Sequence, residues 1–96
     1  MEMETLVKLH RQCVKLQPQY VVELDLSPVM ESPLSFAAKL DHQAKVITLN
    51  GILLRKSSVP HRLEKFLIFH ELAHVLELSE DECDGVAFYA LQEDAK

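Results

Sequence analysis

Tryptophan is absent, tyrosine occurs only twice, and no cluster of lysine and arginine offsets a net charge of −5. A nucleic-acid binder draws its affinity from a basic face, and often from aromatic stacking platforms. Neither is present, so nucleic acid is excluded as a partner. Two cysteines, Cys13 and Cys83, are too few for a framework of disulfides. They leave a single bridge or two free thiols, and a reduced, cytoplasmic protein is the simpler expectation. No apolar run reaches the ~20 residues that a membrane-spanning helix needs. The start, MEMETLVKLH, is acidic and then amphipathic, without the basic-then-apolar order of a signal peptide. Repeats, low-complexity tracts and linkers are missing as well.

What remains is a chain of 96 residues, 48% hydrophobic and 26% charged, which is ordinary for a globular protein. It is long enough for one domain, 1–96, with a modest core. Leu6, Leu9, Cys13 and Leu16 recur at helical spacing, so residues 3–17 read as a helix that Pro18 ends. YVVELDL alternates, with Tyr20, Val22, Leu24 and Leu26 on one side, and reads as a half-buried strand. SPVMESP is a loop. SFAAKLDHQAKVITLN reads as a hairpin turning at 41–45, its second arm rich in β-formers. GILLRKSS fits a short helix or an extended connector. Pro60 opens a helix over 60–78. Ser79 followed by Glu82 forms a capping box that starts a last helix over 80–93. The order predicts an α+β fold: an N-terminal helix, a three-stranded antiparallel meander, and two helices packed on one face of it.

Apolar residues cover nearly every side of the helix through HRLEKFLIFHELAHVLEL, so that helix is expected to be buried. His70, Glu71 and His74 must then be buried or line a cleft. Unpaired charges there would cost several kcal/mol, a large share of the ~5–10 kcal/mol that stabilises a domain of this size. They need partners. His70 and His74 lie one turn apart, about 6 Å along the axis, where two imidazole nitrogens can reach one zinc ion. Glu71 points about 100° away from His70. It is poorly placed as a ligand and well placed as general base toward a water on the ion. The uncharged Leu72 and Ala73 between these residues, and the uncharged flanks, give the H-E-x-x-H pattern the setting this chemistry needs.

A catalytic zinc takes three protein ligands and keeps one open position. Glu77, Glu80, Glu82 and Asp84 are the candidate carboxylates. On a continuous helix Glu77 would share the histidine face, but residues 70, 74 and 77 would span about 10 Å, too far to converge. Glu82 is engaged in the capping box. The preferred arrangement has Glu80 on the metal and Asp84, one turn later, bonded to the free nitrogen of a ligand histidine, fixing its tautomer. Asp84 or Glu82 as the third ligand is the alternative. His61, Tyr89 and Asn50 are candidates for stabilising an oxyanion. His10, His42 and His61 are expected in surface or loop positions, without a metal role.

FHELAHVLELSEDECDGVAFYAL resembles the catalytic core of gluzincin metallopeptidases. They pair H-E-x-x-H on one helix with E-x-x-x-D on the next, here His70 to His74 and Glu80 to Asp84. ECDGVAFYAL resembles the run that follows in CAAX-protease, HtpX-type and ImmA-type peptidases. In size the chain is most similar to the soluble minimal gluzincins, or minigluzincins, which place a three-stranded meander before the active-site helix. The resemblance is specific over residues 66–91, and AAKLDHQAKVITLNGILL only suggests the sheet. It implies one minimal zincin-like domain, a bound Zn2+ and hydrolysis of peptide bonds with Glu71 as general base. It also implies a peptide or protein substrate held extended along a strand of the 34–49 hairpin. The alternative is a zincin-like domain that uses zinc for stability or partner binding, without turnover.

Overall fold

The computed structural model describes residues 2–26 and 37–94. The loop expected at 27–33, and the first residues of the expected hairpin, lie outside the described residues. Four helices and three strands follow in order. They are α1 (Met3–Leu16), β1 (Val21–Asp25), β2 (Ala38–Asp41), β3 (Val46–Asn50), α2 (Gly51–Lys56), α3 (Pro60–Val75) and α4 (Glu80–Asp94). The fold is α+β, as the order of elements predicts.

The sheet is mixed, and this corrects the expected antiparallel meander. Its strand order is β1-β3-β2, with β2 antiparallel to β3 and β1 parallel to it. Only β2 and β3 are joined by a tight turn, in which the Asp41 carboxylate accepts from the backbone of Gln43 and Ala44 at 3.0 Å each. The span from β1 to β2 is long enough to carry the chain across the sheet, so β1 need not pair with its neighbour in sequence. The most apolar strand, β3, takes the centre, with Ile47 and Leu49 fully buried.

Helix α3 packs against β2 and β3 on one side and against α1, α2 and α4 on others. This is why it is apolar nearly all round. Leu67, Ile68, Phe69, Leu72 and Ala73 of α3 join Cys83, Val86, Ala87 and Ala90 of α4, and Cys13 of α1, in one core. The ambiguous GILLRKSS segment begins as a helix because Asn50, itself buried, caps it. Its side chain accepts from the backbone N–H groups of Ile52 and Leu53 at 3.1 and 3.0 Å. Glycine at 51 lets Leu26 lie close, since a Cβ there would meet Leu26 Cδ2 at 2.5 Å.

Two further expectations are corrected. Strand β1 is exposed along almost its whole length, not half-buried. Helix α3 stops at Val75, three residues early, because Glu77 adopts the left-handed conformation at φ 62°. Glu77 therefore does not share the histidine face; it sits exposed in the turn.

Candidate metal centre

The sharp end of α3 builds the site. Leu76 N–H donates to Ala73 O and Glu77 N–H to His74 O, both at 3.0 Å, and left-handed Glu77 then reverses the chain. The capping box restarts it. Ser79 N–H donates to Glu82 Oε1 at 3.0 Å, and Glu82 N–H donates to Ser79 Oγ at 3.2 Å. These bonds hold the Glu82 carboxyl below the usual carboxylate range. Glu80, the first residue of α4, is thereby carried back over the histidines.

The result is a tight convergence. His70 Nε2 and His74 Nε2 are 3.1 Å apart. The Glu80 carboxylate lies 3.1 Å from His70 Nε2 through one oxygen and 3.0 Å from His74 Nε2 through the other. Asp84 Oδ1 approaches the other nitrogen of His70, Nδ1, to 2.9 Å. The approach is off the N–H axis, and buried Nδ1 has no aligned hydrogen-bond partner. The short carboxylate contact still favours the tautomer with its proton on Nδ1, which leaves the Nε2 lone pair facing the cluster. Glu71 is buried beside the histidines and lines the same cleft, with Oε2 at 3.8 Å from His70 Nε2. Burial raises its pKa, the two histidines oppose the rise, and Glu80 adds to it.

His70, Glu71 and His74 form a group that could hold a metal ion, with one ligand atom of each within 4.8 Å of the others. The donor set fits a cation. Two imidazole lone pairs and a carboxylate directed at one point repel unless protons or a cation lie between them. A tetrahedral ion with bonds of about 2.0–2.1 Å spaces its donors about 3.3 Å apart, close to the spacings of His70, His74 and Glu80. Among the carboxylates weighed from sequence, Glu80 is the one that reaches both Nε2 atoms. Asp84 meets His70 on its far nitrogen, and Glu82 is held by Ser79.

The cluster opens into a cleft of about 370 Å³ walled by Ala37, Ala38, Phe66 and Leu67. Phe66 lies one turn before His70, and its ring stacks against that imidazole at 6.1 Å. His61, Tyr89 and Asn50 do not line this cleft. Asn50 caps α2, Tyr89 donates to Glu93, and His61 borders a separate hollow on the α1 side of α3. His10 is half-buried and not a plain surface residue: it stacks on Phe69 at 5.3 Å and meets Tyr89 edge-on at 5.2 Å.

The chain matches no protein-family model, and no curated protein or solved structure is significantly similar to it. Among the described residues, no helix is long and apolar enough to cross a membrane.

Ser79→Ala removes the side-chain cap of α4 and should cost about 1 kcal/mol, read as a lower urea midpoint with an unchanged slope. An unchanged midpoint would show that the capping box contributes nothing. Cys13 and Cys83 are both fully buried free thiols. Burial pushes Cys13 up to about 12 and Cys83 up to about 11. Iodoacetamide at pH 8 should leave the native protein unmodified and add two carbamidomethyl groups once denaturant is present, as counted by mass spectrometry.

Proposed function

We propose that this protein is a zinc-dependent metallopeptidase built on a minimal zincin-like domain of the gluzincin type. The observation that carries the reading is the meeting of His70 Nε2, His74 Nε2 and the Glu80 carboxylate at 3.0–3.1 Å, with Glu71 beside them in the cleft. These three side chains would hold the ion. When bound, zinc supplies Lewis acidity toward a carbonyl and a lowered pKa for water. Glu71 takes the proton of the attacking water and delivers it to the leaving amine. Asp84 holds His70 in the tautomer that faces the cluster.

The sheet offers a place for the substrate. Asn50 N–H donates to Ala37 O at 2.9 Å, so residues 37, 39 and 41 bond to β3. Ala38 and Leu40 then turn their backbone groups to the open edge of β2. Ala38 also walls the cleft. An extended peptide paired along that edge would pass in front of His70 and Glu71.

A second reading is a zinc-stabilised or partner-binding domain without turnover. One observation favours it: none of the three candidate oxyanion-stabilising residues borders the cleft. The first test is elemental analysis of untagged protein beside His74→Ala. About one zinc per chain, lost in the variant, is expected. No zinc in either, after zinc is supplied and the excess dialysed away, would remove both readings.

A further inference from the structure

Among the described residues the sheet has a second edge that no strand covers, β1, on the side away from the candidate metal centre. Val21 N–H donates to Lys45 O at 2.9 Å. In a parallel ladder both backbone groups of a residue turn to the same neighbour, and alternate residues turn away. Val21, Glu23 and Asp25 therefore serve β3, while the N–H and C=O groups of Val22 and Leu24 face the open edge. Exposed edges are usually blunted by lysine, proline or a bulge. None interrupts VVELD, which pairs in continuous register with β3.

The side chains define what fits there. Val22 is paired with Ile47 and Leu24 with Leu49, so both lie on the core side of the sheet. Ile47 and Leu49 are fully buried, yet Val22 is 37% and Leu24 60% exposed. Helix α2 touches β1 but leaves Val22 and Leu24 open to solvent. On the opposite side, Glu23 and Asp25 form an acidic row. A second copy of the chain is a poor occupant. The two-fold register that pairs all five residues of β1 sets Glu23 against its own copy. Sliding toward the C-terminal end sets Glu23 against Asp25, and sliding the other way gives up pairing. Like charges directly opposite are destabilising.

We propose that β1 is a docking edge for an extended segment of another protein in which basic and apolar residues alternate. Its apolar side chains extend the Val22–Leu24 row and a basic side chain faces Glu23. Its backbone pairs with Val22 and Leu24.

The test uses the whole chain carrying Glu71→Gln, to prevent cleavage, and a capped Lys-Val-Arg-Val-Lys-Val-Arg peptide. A second peptide has glutamate in place of every basic residue. Amide exchange by NMR should show Val22 and Leu24 protected only with the basic peptide, against its unchanged backdrop at Glu23. Leu24→Pro removes an outward N–H that β3 does not use, and Leu24→Lys places a charge in the Val22–Leu24 row. Each should weaken binding at least tenfold. Equal binding of the acidic peptide overturns the proposal. So does protection at Ala38 and Leu40 instead, which would place the peptide on the β2 edge, or sedimentation as a dimer that hides Val22 and Leu24.

Discussion

Glu71→Gln is expected to lower peptide hydrolysis by about 100- to 10,000-fold, the usual contribution of a positioned general base, while zinc content and fold are retained. The amide matches the carboxylate in shape, so the packing beside His70 is preserved. The metal-binding contacts assigned to His70, His74 and Glu80 do not pass through Glu71. The loss should fall on kcat, because the proton transfer belongs to the chemical step. Measured beside the wild type on one peptide pool, with zinc quantified in both, the variant separates the two readings of the site. Retained zinc with lost hydrolysis marks an enzyme. Zinc bound by both proteins, with hydrolysis in neither, marks a structural or partner-binding centre. Lost zinc in the variant would make Glu71 a ligand and return the third-ligand question to Glu80.

Leu72→Ala should be the most damaging core substitution near the site, at about 2–5 kcal/mol. Leu72 lies between Glu71 and His74 and is fully buried. A domain of this size has about 5–10 kcal/mol in all, so the variant approaches the threshold of folding. Tm should fall by at least about 10 °C. Saturating zinc should restore part of the loss, about 2.7 kcal/mol at a hundredfold excess over Kd, if the site binds only the folded chain. Thermal melts with and without zinc measure both quantities. A loss below about 1 kcal/mol would mean that α3 is not the centre of the core.

The parts of the fold legible in the sequence are those settled by residues close together in the chain. Apolar residues on nearly every side of 63–76 point to a buried α3. Ser79 and Glu82 announced the start of α4, and with it the return of Glu80 and Asp84 toward the histidines. Two features were hidden. The end of α3 is hidden because Leu76 and Leu78 continue the apolar pattern and no glycine marks the stop. Glu77 takes the left-handed turn at a small steric cost. The place of β1 was hidden because it depends on a partner 25 positions away, Val21 with Val46, and alternation in VVELD does not reveal which neighbour it meets. Nor does alternation show whether helices reach far enough to cover Val22 and Leu24.

The four-residue turn between α3 and α4 also bears on the order in which the molecule assembles. His70, His74 and Glu80 fall within eleven consecutive residues, so bringing them together closes only a short loop, a sub-microsecond event once the helices form. Pairing β1 with β3 closes a longer one and bears the greater entropy cost. The helical hairpin should therefore be structured in the folding transition state and β1 should join late. φ-values for alanine substitutions in α3 and α4 should exceed those in β1. Metal capture would then accompany the first half of folding, and the second open edge would be the last part of the sheet to form.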